Sequence, residues 1–379
     1  MLINEIPDDC LLAIFDYINN LDDLLNCYKV CVKWSYLIAK RTKKTKYLIS
    51  EDPGYSSDAV YYRGARPIDS SCLSRLFTNL IIAELSPRLH RKVEDAIEFV
   101  SKQKSLKGLI NFYDEPIEKY CDKLEMLSVN TINPNNLRNG SSIKQLVVRN
   151  YSLEALKRDA HYLPNLERLK IQIFDVPDDH YDGPVLEKIK ILELLDYYEE
   201  QPETSFHGFQ FMDSCPNLQS AHIIMNTDSW FFDATLKHKC LQDLVIRCYE
   251  FVNRNTYGNA LIRLLIKYPN LKHLALRGIY GIKDEHIKQL VDILPNLVLL
   301  DVIGFKEVTQ RAADYVKDHC ERNGRSTKFY FNGNCNEIKS DWPQLSSKHE
   351  IISRGFDFMQ HCFRKDFLIL SHFLIPIDY

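Results

Sequence analysis

The sequence contains little glycine, 13 of 379 residues, and lacks the glycine motifs of common enzymes. It has no Gly-x-x-x-x-Gly-Lys-Ser/Thr, Gly-x-Gly-x-x-Gly or Gly-x-Ser-x-Gly segment, the patterns that cradle phosphates, bind dinucleotides or present a nucleophilic serine. Its eleven cysteines include no Cys-x-x-Cys pair, so the zinc-ribbon and thioredoxin motifs are also missing. We therefore predict no catalytic residue, no resident metal and no cofactor.

Strong charge of one sign and long apolar runs are missing as well. The net charge is −3, and the main basic run, 41–46, is predicted to be a solvated helix end or joint rather than an anion-binding patch. No apolar run is long enough to cross a membrane, and the N-terminus lacks a basic segment followed by an apolar core. We expect an intracellular chain, cytoplasmic and/or nuclear, with neither nucleic acid nor membrane as partner.

Two amphipathic helical patterns occupy residues 6–34. Pro7 is predicted to begin the first helix, and Asp22 and Asp23 favour the start of a second helix at residue 21. Apolar residues follow at three- and four-residue steps, which places them on one face of each helix. The first stripe consists of Leu11, Ile14, Phe15 and Ile18. The second consists of Leu24, Cys27, Val30, Cys31 and Trp34. Cysteines on these stripes, Cys10 included, are expected to be small buried apolar groups.

This segment resembles the F-box, in the order Leu/Ile-Pro, Leu-x-x-Ile-Phe, Asp-Leu-Leu and Val-Cys-x-x-Trp. The resemblance implies that the helices dock on a Skp-type adaptor, which connects to a cullin and a RING subunit. It also implies that the rest of the chain binds a protein substrate for ubiquitination. The implied adaptor contacts are Pro7, Leu11, Leu12, Ile14, Phe15, Leu24, Val30 and Trp34. In the alternative interpretation these residues pack only among themselves, as an N-terminal helical cap.

An internal repeat follows the helices. Pro-Asn-Leu recurs with its proline at 164, 216, 269 and 295, which indicates a unit of about 26 residues. A Leu-x-x-Leu-x-Leu pattern, with Ile, Val or Ala substituting, accompanies it. Its copies begin at 166, 189, 218, 241, 271 and 297, upstream at 77, 124 and 143, and incompletely at 106.

These units resemble leucine-rich repeats of the subtype common in F-box chains, with Ile279 where a cysteine often stands. The predicted fold class is α/β: a helical F-box followed by a curved solenoid with a parallel sheet on its concave face and helices on its convex face. Outer helices are predicted at 88–104 and 282–290. The alternative is an ordinary α/β domain with leucine-rich strands.

Four segments follow from these patterns. We predict an F-box at 2–42, a linker or irregular first repeat at 43–74 with a strand at 47–49, and a solenoid at 75–335 that ends in a strand at 327–331. The apolar tail, 336–379, is predicted to cap the open end of the solenoid. Its alternative is to fold back toward the concave face.

Substrate is expected on the concave face, at residues flanking the sixth position of each repeat. The candidates are Arg149, Lys170, His222, Arg247, Arg277 and Asp301. The three arginines occupy equivalent positions, and such a row would suit an acidic or phosphorylated segment. Alternatively, they solvate the sheet and pair with carboxylates. The segment 178–180, Asp-Asp-His, is expected to be a solvated turn rather than a metal site.

The resulting functional prediction is a non-catalytic substrate-recognition subunit of a Skp–cullin–F-box type ubiquitin ligase. The alternative is a leucine-rich-repeat scaffold whose F-box serves assembly or localisation without substrate turnover.

Overall fold

A computed structural model of the chain describes residues 5–52, 56–64, 68–174, 179–197, 205–227, 229–248 and 258–379. These residues form two compact units. Unit 1 comprises Met1–Val148, Glu350–Gly355 and Ser371–Tyr379, and unit 2 comprises Arg149–His349 and Phe356–Leu370. The C-terminal segment thus contributes to both units.

Helices and parallel strands alternate along most of the chain. The helices are α1 Asp8–Asp16, α2 Leu21–Tyr28, α3 Val32–Thr42, α4 Ser70–Leu76, α5 Val93–Ser101, α6 Leu153–Asp159, α7 Gly208–Asp213, α8 Gly258–Leu265, α9 Asp284–Ile293, α10 Gln310–Asn323, α11 Glu337–Asp341 and α12 Phe358–His361. Short 3-10 turns lie at Ile117–Tyr120, Pro134–Asn136, Gly140–Ser142, Ala160–Tyr162 and Phe367–Ile369. Within the described ranges, no helix combines the length and the apolar character that crossing a membrane requires.

The strands number seventeen among the described residues. They are β1 Tyr47–Ile49, β2 Ala59–Tyr61, β3 Ile82–Leu85, β4 Gly108–Asn111, β5 Met126–Val129, β6 Gln145–Val148, β7 Arg168–Phe174, β8 Ile191–Tyr197, β9 Ser205–Phe206, β10 Ser220–Met225, β11 Ser229–Trp230, β12 Asp243–Cys248, β13 His273–Arg277, β14 Leu299–Asp301, β15 Lys328–Tyr330, β16 Ile352–Arg354 and β17 Phe373–Ile375.

Unit 1 contains a parallel sheet in the order β2-β1-β3-β4-β5-β6. In the register of this sheet, one buried residue of each strand lies opposite one buried residue of the neighbouring strand. The pairs are Leu48 with Ala83, Ala83 with Leu109, Leu109 with Leu127, and Leu127 with Leu146. The repeat copy predicted to begin at residue 77 therefore begins three residues later, at Leu80. Strands β1 and β2 lie in the region 43–74, so the sheet begins at Tyr47, before the predicted start at 75.

Unit 2 contains a parallel sheet in the order β7-β8-β10-β12-β13-β14-β15. One residue per strand is again in register from strand to strand: Leu169, Leu192, Ala221, Leu244, Leu274, Leu300 and Phe329. Except for Phe329, these are the fourth-position residues of the predicted repeats. The strand predicted at 327–331 corresponds to β15. The helices predicted at 88–104 and 282–290 correspond to α5 and α9. The predicted fold class, helices followed by a solenoid-like parallel sheet with helices, is confirmed.

Residues on each strand alternate between two faces of the sheet. In each unit, we call the face that carries the in-register leucines (Leu109 and Leu127 in unit 1, Leu169 and Leu192 in unit 2) the leucine face, and the opposite face of that unit's sheet the tail face. In unit 1, the tail face carries Tyr47, Ile82, Ile110 and Met126, which pack with Ile351, Phe373 and Ile375 in one buried cluster. Phe373 and Ile375 both lie on β17, which pairs with β16. The C-terminal residues therefore cover the tail face of unit 1.

Hydrogen bonds reinforce this packing in unit 1. The Tyr47 hydroxyl donates to the Tyr379 carbonyl at 2.8 Å, and Leu374 N donates to Gln145 Oε1 at 3.0 Å. Ser128 Oγ and His372 Nδ1 lie 2.7 Å apart. Because the partners in each pair are more than two hundred residues apart in sequence, no local pattern could have predicted them.

Candidate functional site

Each of the first two helices has a clear start signal. Pro7 immediately precedes α1, with φ of −55°, and Asp8 and Asp9 lie in its first turn. The Asn20 side chain accepts a hydrogen bond from Asp23 N at 3.2 Å and caps α2. Both predicted helix starts are confirmed.

Four of the eight predicted adaptor contacts are buried within the chain itself. Leu11, Leu12, Phe15 and Leu24 are all buried. The Phe15 ring packs edge-on against the half-buried Trp34 ring, with centroids 5.1 Å apart. Half of the residues that the sequence predicted to contact the adaptor are therefore buried in the free chain. A unit of three short helices needs such buried residues, because so small a core is only marginally stable.

The outward side of the domain carries the other apolar residues. Three of the predicted adaptor contacts, Pro7, Ile14 and Val30, are exposed, Ile14 to 49%. Tyr17, Val32 and Tyr36, which the sequence analysis missed, are 81%, 87% and 67% exposed. We call Ile14, Tyr17, Val30, Val32 and Tyr36 the outer apolar set.

Four members of the outer apolar set follow helical spacing, and the fifth, Val30, lies in the turn between α2 and α3. Ile14 lies on α1 and Tyr17, three residues further on, caps its C-terminus, while Val32 and Tyr36 are four residues apart at the start of α3. This spacing was available in the sequence, but so was the buried stripe, and periodicity alone does not say which stripe faces solvent. The expectation of buried thiols was wrong here, since Cys10 is exposed and Cys27 and Cys31 are half-buried.

Arg41 connects α3 to the end of α1 and is fully buried. Its guanidinium donates to the Phe15 carbonyl at 3.3 Å, to Thr45 Oγ1 at 3.0 Å and to Asn19 Oδ1 at 3.0 Å, and it lies 3.6 Å from the Asp16 carboxylate. Burial lowers the pKa of Arg41, and Asp16 opposes that shift. Of the two predicted roles for this basic run, solvated helix end or joint, Arg41 has the second, since it is buried and joins α3 to the end of α1.

On the tail face of unit 2, the predicted substrate residues contact the chain's own tail. The Lys170 ammonium donates to the Leu370 carbonyl at 2.9 Å and lies 5.0 Å from the centre of the Phe367 ring. The His222 ring lies edge-on to Phe367 at 5.9 Å. Burial lowers the pKa of Lys170 to about 8. Burial also lowers the pKa of His222 well below its usual value, and the neighbouring cations Arg277, Arg247 and Lys170 lower it further.

Two of the three predicted arginines also contact the tail. Arg277 donates to the Phe363 carbonyl at 2.9 Å and lies 3.6 Å from Asp301. Arg247 forms an ion pair with Asp366. Lys170, His222 and Asp301 are buried, and only Arg149 of the predicted set is exposed. Two of the three arginines of the predicted row, Arg247 and Arg277, therefore pair with carboxylates, as the alternative interpretation expected, and Arg149 alone is exposed.

The physical reason lies in the composition of residues 356–370. Phe363, Phe367 and Leu370 each need an apolar surface, and all three are buried. The tail was predicted either to cap the open end of the solenoid or to fold back toward its concave face. The contacts of residues 356–370 are those of a segment that folds back on the strands. The carbonyls and carboxylate of that segment in turn partner the buried cations, which would otherwise lose their hydration without compensation.

The Asp-Asp-His segment has a structural role at its described residues. The buried carboxylate of Asp179 accepts hydrogen bonds from Leu153 N and, at 3.1 Å, from Glu154 N, so it caps the start of α6. Asp178 lies outside the described residues. No group of three or more His, Cys, Asp or Glu side chains in the described part of the chain is placed to hold a metal ion.

Comparison with known families identifies the N-terminal domain. The family model described as F-box-like matches residues 3–43, which span α1 to α3. The chain thus contains an F-box-like domain, and F-box domains generally bind Skp-type adaptors. The match ends before β1, so it does not extend to the repeat strands. No match was found among curated proteins.

Proposed function

We propose that this protein is the substrate-recognition subunit of a Skp–cullin–F-box type ubiquitin ligase. The F-box-like match at residues 3–43 is the observation that carries the proposal. In this function the F-box binds the Skp-type adaptor, and through it a cullin and a RING subunit. The leucine-rich repeats bind a protein substrate. The chain itself is not an enzyme and acts in the cytoplasm and/or nucleus.

The outer apolar set supplies the surface for the adaptor. Aromatic and branched apolar side chains that are exposed in the free chain gain free energy when a partner covers them. Tyr17 and Tyr36 suit such an interface because each combines a large apolar ring with a polar hydroxyl. The buried residues Leu11, Phe15 and Leu24 hold α1, α2 and α3 together and contribute to binding only through that packing.

The ligase function requires no chemistry from this chain. A receptor that holds its substrate near a charged ubiquitin carrier raises the effective concentration of the reacting groups. A scaffold without substrate turnover remains a second candidate. It is favoured by one observation, that the predicted substrate face of unit 2 is covered by residues 356–370.

Co-purification of the full chain with a Skp-type adaptor tests the proposal. The Ile14→Glu/Tyr17→Glu variant should lower affinity by on the order of 30-fold or more, because it places charge in an apolar contact. Both positions are exposed, so the variant should keep the wild-type melting temperature. Val185→Glu, at an exposed apolar position of unit 2, is the matched control and should bind normally.

Loss of adaptor binding in Ile14→Glu/Tyr17→Glu but not in Val185→Glu would support the proposed substrate-recognition subunit. A folded wild-type chain that does not bind the adaptor would contradict it. Adaptor binding without ubiquitination of any co-purifying protein in a reconstituted ligase would favour the scaffold.

A further inference from the structure

A pocket of about 150 Å³ lies in unit 1, where the chain leaves β4 and β5. Both strands are parallel, so their following loops meet at the same edge of the sheet. The residues that matter most in its lining are Asn111, Asp114, Glu115, Glu118, Thr131 and Asn133. Three of these six carry a carboxyl group.

Glu118 is the unusual member of this lining. It lies in the 3-10 turn Ile117–Tyr120 and is only 2% exposed. Its Oε2 has no hydrogen-bond partner among the residues that the structure describes and is closed off from solvent, while the Asn111 side chain and the backbone also hydrogen-bond this carboxyl. Burial is the main cause of a raised pKa for this carboxyl. A buried carboxyl oxygen without a partner is costly, and native structures keep such groups mainly where something else satisfies them.

The loop around Glu118 is fixed by its own hydrogen bonds. Asn111 Nδ2 donates to the Glu115 carbonyl at 2.9 Å, and Tyr113 N donates to Asn111 Oδ1 at 3.0 Å. Across the pocket, Asn133 Oδ1 accepts from Asn135 N at 3.1 Å. The loops that form the walls are therefore ordered, and a ligand would only have to expose Glu118 Oε2, which solvent does not reach.

The charge around the pocket is predominantly negative. Asp114 and Glu115 are exposed at its rim, so they add negative potential without the cost of burial. The neighbouring cation, Lys119, has its ammonium 5.1 Å from the centre of the Tyr120 ring. A buried carboxyl behind two exposed ones favours a cation.

The size and donor set favour an organic cation over a metal ion. No set of three metal-ligating side chains is assembled among the described residues. The volume, about that of five water molecules at roughly 30 Å³ each, suits the end of a long basic side chain. An ammonium or guanidinium group would offer N–H donors to the unpartnered oxygen of Glu118 and to the rim carboxylates.

We propose that this pocket binds a lysine or arginine side chain of the protein that the chain recognises. The site for a basic side chain follows from the pocket itself, while the identity of its owner as a ubiquitination substrate rests on the proposed function. The inference also moves the expected substrate contact from the tail face of unit 2 to the loop edge of unit 1.

The test uses the full chain and four short peptides with the same Gly-Ser flanks and a central Arg, Lys, Gln or Glu. Binding is followed by NMR at the side-chain carboxyl carbons, with the Glu118 signal assigned from the Glu118→Gln variant. The Arg or Lys peptide should bind and shift the Glu118 signal. Glu118→Gln should weaken that binding by roughly 30-fold or more, as expected for a buried charge pair that loses one partner.

Two further variants keep the test decisive if Glu118→Gln does not fold. Asp114→Asn/Glu115→Gln changes only exposed rim carboxylates and should weaken binding by a few-fold. Glu94→Gln, an exposed carboxylate at the start of α5, is the control and should have no effect.

Equal binding of the Gln and Arg peptides, or no binding by any of the four, would overturn the inference. So would unchanged binding by folded Glu118→Gln. None of these results alters adaptor binding by the outer apolar set. Failure of this site can therefore be told apart from failure of the ligase proposal.

Discussion

Replacement of Phe367 by alanine should destabilise unit 2 because this ring anchors the tail. The Phe367 side chain is fully buried, lies 5.0 Å from the Lys170 ammonium and packs edge-on to His222. Truncation removes the apolar burial, leaves a cavity over the sheet and deprives the buried ammonium of its aromatic neighbour. Large-to-small changes of a buried phenylalanine cost about 3–5 kcal/mol, and we expect a value in that range.

The expected change in melting temperature follows from the size of the unit. For folding units of 150–250 residues, each kcal/mol shifts the melting temperature by about 2–4 °C. Phe367→Ala should therefore lower the melting temperature by roughly 6–20 °C. Thermal unfolding followed by circular dichroism measures this shift, and guanidinium unfolding gives the free energy independently.

The neighbouring residue provides the control. Leu368 lies in the same 3-10 turn but is 63% exposed, so Leu368→Ala should change stability by no more than about 0.5 kcal/mol. Equal stabilities of Phe367→Ala and Leu368→Ala would refute the placement of the tail on the strands. In that case the predicted row of cations would be open after all.

Three further predictions concern other parts of the chain. Arg41→Ala should destabilise the protein by about 3–5 kcal/mol, measured by chemical unfolding, since it leaves the groups around a buried guanidinium without partners. Burial lowers the pKa of His90 to about 4, so the unfolded chain takes up this proton first as pH falls. Stability should therefore decrease from about pH 6.5 to pH 4, by up to about 3 kcal/mol, and His90→Leu should remove that part of the decrease. Gly278→Ala should destabilise by more than about 1 kcal/mol, because φ is +66° and the new Cβ would lie 2.1 Å from the Cys248 carbonyl oxygen.

Each of these predictions has a result that would contradict it. Lys40→Ala, an exposed cation on the same helix as Arg41, should be nearly neutral, and an equal loss in both variants would argue against the buried network. A stability–pH profile that His90→Leu leaves unchanged would mean that His90 titrates normally. A Gly278→Ala variant as stable as the wild type would show that the β13 turn tolerates a side chain.

Local patterns in the sequence determined most of the fold. The spacing of Leu169, Leu192, Leu244 and their equivalents predicted the strands, because parallel strands in register repeat one buried position per unit. The prediction was off by three residues at Leu80. There the repeat has alanine instead of leucine at Ala83, and the neighbouring Phe77 offered a stronger but incorrect match.

The candidate sites depended more on the tertiary structure. A helical stripe shows which residues share a face, but Leu11 and Ile14 both belong to apolar patterns, and only packing decided that Leu11 faces inward. Likewise, Lys170, Arg247 and Arg277 were correctly placed on one face of the sheet. Nothing local could show that a segment about one hundred or more residues away along the chain covers them.

The sequence by itself thus determined the F-box-like helices, the parallel strands and their repeat. These depend on periodicity, capping and turn residues, which act over a few positions. Only the tertiary structure decided which apolar residues remain outside, where the tail lies and that Glu118 has an oxygen without a partner in a pocket. Those features depend on contacts between distant segments, whose burial and charge pairing no short stretch of sequence specifies.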